Sequence, residues 1–90
     1  MKKYTNNKEK IQVACFIKIK TGKTTSIINR LKEIDEVIKI QSITGEYDIL
    51  IEIEADTPDD LYDIYSKEID VIPGVKEVHS HYIVKTWDKR

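Results

Sequence analysis

From Ile11 onward the chain alternates. Ile11, Val13, Cys15, Ile17 and Ile19 occupy every second position, with Gln12, Lys18 and Lys20 among the residues between them. This period-two pattern predicts a β-strand with one buried face. Ala14 and Phe16 on the opposite face imply that the strand's middle is covered on both sides, and Gly22 ends it. The period then lengthens to that of a helix. Ile27, Ile28, Leu31 and Ile34 face inward, while Asn29, Arg30, Lys32 and Glu33 face out. Thr24 or Thr25 is the expected N-cap and Asp35-Glu36 the close.

Val37 to Ile43, rich in β-branched residues, is the second predicted strand, and Gly45 marks a hairpin. A third strand follows, with Tyr47, Ile49, Ile51 and Ile53 on its apolar face and Asp48, Glu52 and Glu54 opposite. Asp56-Thr57-Pro58-Asp59-Asp60 reads as a helix start. Thr57 is placed to cap, proline suits the first helical position, and the acids meet the positive end of the helix dipole. Leu61, Ile64, Tyr65, Ile69 and Ile72 supply the buried stripe, and Pro73-Gly74 stops the helix. Val75 to Thr86 is the last strand, with Val78, Ser80, Tyr82 and Val84 on one face.

The order β-α-β-β-α-β, with all three glycines and both prolines at the junctions, predicts an α+β fold. Two strand-helix-strand units joined by right-handed crossovers make a ferredoxin-like plait: a four-stranded antiparallel sheet with both helices on one face. Two helices leave the other face open, yet Phe16, Leu50 and Ile83 place apolar surface there. A second copy covering that face is the expected partner, giving a homodimer of the α/β-barrel type.

Composition narrows the function. Ninety residues make one small domain, expected over 11–90 behind a loose arm at 1–10. Lys+Arg 15 against Asp+Glu 16 leaves a net charge of -1, which is no footprint for direct binding to nucleic acid. The single Cys15 reads as a small core residue in a reducing compartment, nothing resembles a signal peptide, and no apolar run reaches the about 18 residues of a membrane span. A cytoplasmic protein without membrane contact is expected.

Catalytic chemistry is thinly represented, and no catalytic residue, metal site or cofactor is expected. Cys15 has no basic partner nearby in sequence. His79 and His81 project to one face of a strand, but two imidazoles without further ligands are not a metal site. Asp59-Asp60 reads as helix-dipole compensation. Gly22-Lys23-Thr24-Thr25 is similar to the end of a P-loop but lacks its upstream glycine. The hairpin differs. Gly45 exposes backbone N–H groups suited to a carboxylate, and Asp48 offers a negative charge to an ammonium. Together they suit the zwitterionic head of an α-amino acid, against the plainer reading of a turn glycine and an acid capping a strand edge.

Thr44-Gly45-Glu46-Tyr47-Asp48-Ile49-Leu50 resembles the TG-x-[YF]-D hairpin of the leucine-responsive regulator/AsnC (Lrp/AsnC) family, and Ile72-Pro73-Gly74-Val75 is similar to that family's approach to its last strand. The resemblance runs from about Ile11 to Thr86. It implies the family's effector-binding domain, called RAM (regulation of amino acid metabolism), which has this fold, pairs through its sheets and assembles into rings, often octamers. By position, Gly45, Tyr47 and Asp48 would line the ligand site between dimers, with Thr44 and Glu46 beside them. The family tends to carry threonines at two alternating positions of the last strand, where this chain has Val78 and Ser80. Ser80 would therefore be the one hydroxyl there facing the ligand. The family's helix-turn-helix has no room before the first strand, so a stand-alone RAM domain is expected. It would bind an amino acid or similar metabolite, join mixed oligomers with full-length regulators, and act as no enzyme. Two alternatives stand beside it: a small dimeric α/β-barrel enzyme of the monooxygenase-like type, and a purely structural oligomerisation module. The enzyme needs a polar cavity between sheet and helices, where this pattern puts Ile and Leu.

Overall fold

The computed structural model describes residues 10–89. The arm expected over residues 1–10 therefore lies, except for Lys10, outside the described residues. Four strands form one antiparallel sheet: β1 (Ile11–Ile19), β2 (Val37–Ser42), β3 (Ile49–Ala55) and β4 (Val75–Tyr82), in the spatial order β2-β3-β1-β4. Between β1 and β2 lies α1 (Thr24–Leu31), and between β3 and β4 lies α2 (Pro58–Asp63), continued by a π-helical stretch at Ile64–Ile69. This is the ferredoxin-like arrangement, with β1 and β3 at the centre.

The alternation in β1 and β3 builds the core. Cys15 pairs with Ile51 and Val13 with Ile53, all turned toward the helices and almost fully buried. Ile27, Leu31, Leu61, Ile64 and Ile69 close over them. Thr57 caps α2 as expected, its Oγ1 accepting the Asp60 N–H at 3.0 Å, with Pro58 in the first helical position.

Elsewhere the pattern misleads. α1 begins one residue early, with Lys23 at the N-cap position and neither Thr24 nor Thr25 capping. The Lys23 carbonyl takes the first helical N–H, from Ile27, and also the Ser26 hydroxyl. α1 also ends at Leu31, and Ile34 is buried from the turn that follows. The second helix changes pitch because its apolar spacing does. Ile64 and Ile69 are five apart, so an α-helix would bury Glu68 in place of Ile69. A π turn, closed by the Asp70 N–H to the Tyr65 carbonyl at 2.8 Å, brings Ile69 into the core instead.

The last strand stops at Tyr82, short of Thr86. Its ladder with β1 pairs Tyr82 with Val13, and the last bond runs from the Ile83 N–H to the Gln12 carbonyl. Val84, expected on the inward face, is 94% exposed, and Trp87 beyond it is 75% exposed.

Candidate functional site

The hairpin between β2 and β3 closes with the Ile43 N–H donating to the Asp48 carbonyl at 3.0 Å. Gly45 sits at φ +116°, where a side chain is strained, and a β-carbon built on it would meet nothing within 4 Å. The space above the turn is open. None of the backbone N–H groups of Thr44, Gly45, Glu46 and Tyr47 donates to another described residue. Thr44, Gly45 and Glu46 are exposed, so these donors face solvent and are open to an anionic group. Lys18 of β1 reaches under the turn, its Nζ donating to the Glu46 carbonyl at 2.9 Å.

Asp48 has a structural partner. Its N–H donates to the Ile17 carbonyl, and its Oδ2 accepts the Ile19 N–H at 2.9 Å. The chain turns out of the sheet at this point, so no backbone carbonyl is left to receive the N–H of Ile19. The carboxylate takes that carbonyl's place, which explains an acid ahead of an apolar strand. One carboxylate oxygen is committed, and the half-buried group keeps the other.

Tyr47 breaks the alternation assigned to it. Its ring lies away from the core, 5.7 Å from Phe16 and 5.4 Å from His79 between centroids, rather than beside Ile49. Tyr47 precedes β3, which starts at Ile49, so the strand's pleat does not set its direction. Phe16 also meets His81, edge-on at 5.9 Å. A four-ring aromatic cluster thus occupies the sheet face that lacks helices, with Leu50 paired opposite Phe16. His79 and His81 do share a face, as expected. His79 Nε2 lies 3.0 Å from Glu77 Oε1, and this hydrogen bond holds the Glu77 carboxyl below its ordinary range. Burial first, then the carboxylates of Glu46 and Glu77, raise the Tyr47 phenol. The cluster could not be read from sequence spacing, because it depends on the cross-strand register Phe16↔His79.

Ser80 is not brought to the hairpin. It pairs with Cys15 and shares its direction, toward the helices, on the opposite side of the sheet from Tyr47. The candidate residues therefore divide. Thr44, Gly45, Glu46, Tyr47 and Asp48 form one continuous turn that Lys18 joins, while Ser80 belongs elsewhere. An open groove of about 760 Å³, lined partly by Lys10, Glu54, Tyr82 and Lys85, lies where the C-terminal segment leaves the sheet. It is at the far end of β1 from the hairpin. Among the described residues no three His, Cys, Asp or Glu side chains are grouped to hold a metal ion, and no helix is long and apolar enough to cross a membrane.

Comparison with known proteins gives the family of the chain. The family model described as the Lrp/AsnC ligand binding domain matches residues 12–90. The HTH-type transcriptional regulator FL11 of Pyrococcus abyssi is 30% identical over 71 residues, covering 79% of this chain and 46% of that protein. The chain thus spans about half the length of such curated relatives. A homocitrate synthase of Sulfurisphaera tokodaii is 34% identical over 62 residues, covering 69% of this chain but 13% of that protein. Among solved structures, the L-Met complex of the transcriptional regulator NMB0573 from Neisseria meningitidis superposes with a TM-score of 0.82 at 15% identity, covering 99% of this chain and 63% of that one.

Proposed function

Because this chain belongs to the Lrp/AsnC ligand binding domain family, we propose that it is an amino-acid-sensing and assembly module. The observation that carries the reading is the hairpin: four free N–H groups around Gly45, beside the Lys18 ammonium and the Asp48 carboxylate. The ligand carboxylate takes the N–H groups and Lys18, and the ligand ammonium takes the remaining oxygen of Asp48, assisted by Glu46. Thr44 and Tyr47 flank it. The solved L-Met complex of a regulator with this fold supports an amino acid as the ligand class.

The module pairs with a second copy through its open sheet face, where Phe16, Tyr47, Leu50, His79 and His81 supply the contact, and the pairs build a higher ring such as an octamer. The shared contacts admit full-length regulators of the same family into mixed assemblies. Ligand acts by favouring one assembly over another, since equal binding to both would shift nothing. The module itself catalyses nothing and contacts no DNA directly, a reading that its near balance of Lys+Arg 15 against Asp+Glu 16 supports. Its relatives' role in transcription supports a cytoplasmic location. Matching one stretch of a regulator and a small share of a homocitrate synthase suits a transferable sensing domain better than an enzyme.

A thermal-shift panel of the twenty amino acids tests this, run on the natural chain and on Asp48→Asn. Asparagine keeps an oxygen for the Ile19 N–H but removes the charge, so folding and binding separate. The expected result is stabilisation by one or a few amino acids that is lost in Asp48→Asn while its unliganded Tm stays close to the parent's. No response across the panel in the natural chain would refute amino-acid sensing and favour a purely structural module.

A further inference from the structure

A second place in the fold gathers polar groups that the sensing reading does not use. On the helix side of the sheet, β4 is an edge strand that α2 covers incompletely. An open depression of about 240 Å³ lies there, lined by Val13, Leu61, Tyr65, Ser80 and Tyr82. Val13 and Leu61 make an apolar floor. On one wall the Tyr65 hydroxyl and the Ser80 hydroxyl each lie 3.4 Å from Cys15 Sγ. Tyr82 stands at the mouth, mostly exposed.

The chemistry of these groups is uniform. None of the lining residues carries a charge. Burial, and then hydrogen bonding to the Cys15 thiol, raises the Tyr65 phenol, and burial raises the thiol itself, so both keep their protons. The thiol is no nucleophile in this state. What the wall offers is a set of neutral hydroxyls, each able to donate or to accept one hydrogen bond. Tyr65 lies in the first turn of the π-helical stretch and supplies the carbonyl that takes the Asp70 N–H, which fixes its backbone beside this site.

We infer that this depression is a second binding site, for a small uncharged molecule with one hydrogen-bonding oxygen on a compact apolar body. The oxygen takes the Tyr65 and Ser80 hydroxyls, and the hydrocarbon lies on Val13 and Leu61. Charged ligands are disfavoured because no lining residue carries a charge to pair with them. The volume falls below the ~300–1,000 Å³ of sites for drug-sized ligands, which limits the occupant to a ring or short chain of fragment size. This site is separate from the hairpin. It lies on the opposite side of the sheet from the face proposed for pairing.

Cyclohexanone serves as the probe, followed by methyl NMR of Val13 and Leu61 in the full chain, with cyclohexanecarboxylate as the charged control. The inference expects saturable shifts of both methyl sets with cyclohexanone and none with the carboxylate. Tyr65→Phe and Ser80→Val, which keep the ring and the strand respectively, should each weaken binding at least fivefold. Asp48→Asn should leave it unchanged, so failure here is distinguishable from failure at the hairpin. Absence of saturable shifts in the natural chain, or equal binding to Tyr65→Phe, would overturn the inference.

Discussion

The two faces of the sheet follow opposite rules. Toward the helices, Val13, Cys15, Ile17, Ile49, Ile51 and Ile53 are aliphatic or thiol and almost wholly buried. Toward the open side, Phe16, Tyr47, His79 and His81 put ring against ring, with Glu77 and Lys18 among them. The first face makes the domain fold and the second leaves recognition surface on the outside. In a small domain, which buries little surface on its own, the proposed association through the second face would also add stability.

Neighbours on one strand put this contrast to the sharpest test. Ile51→Ala should cost about 3 kcal/mol, because a fully buried aliphatic side chain leaves a cavity. Leu50→Ala, one residue away on the open face, should cost a dilute monomer only about 1 kcal/mol. It should instead reduce the mass seen by light scattering. Urea unfolding and scattering on both variants would break the comparison if Leu50→Ala proved as damaging to folding as Ile51→Ala.

Gly74→Ala ranks next, at about 2 kcal/mol in urea unfolding. The residue sits at φ +98°, and an added β-carbon would lie 2.8 Å from Lys23 Cγ. Thr57→Ala should cost about 1 kcal/mol by removing the cap of α2 without touching either face. The smallest effect is expected at the exposed Glu77. Its folded pKa is depressed, so its contribution is present above the ordinary carboxylate range and lost as pH falls through the depressed value. His79→Gln should flatten that limb of the stability-pH curve, by an amount near the resolution of the measurement.

Much of this was legible in the sequence. The six elements, their order and the core face of β1 follow from apolar spacing, and the glycines and prolines mark the turns. What spacing missed depends on direction or on neighbours. Tyr47 belonged to the alternation only if β3 began before it, and it does not. The end of β4 depends on its ladder with β1, which no local pattern in β4 records. The π-helical stretch was visible in the five-residue step from Ile64 to Ile69, though only against a core that must exclude Glu68. Ser80 was assigned by resemblance, and its pairing with Cys15 puts it on the helix side. At the hairpin the turn itself was legible, while the bond from Asp48 to the Ile19 N–H and the approach of Lys18 required the register of three strands.

The central claim is that the free N–H groups of the hairpin receive the ligand. Hydrogen–deuterium exchange on peptides spanning residues 43–49, with and without the amino acid that stabilises the protein, measures those groups directly in any assembly state. Slower exchange at Thr44 to Tyr47, lost in Asp48→Asn, is the predicted result. Ligand-induced stabilisation with unchanged exchange across this turn would contradict it.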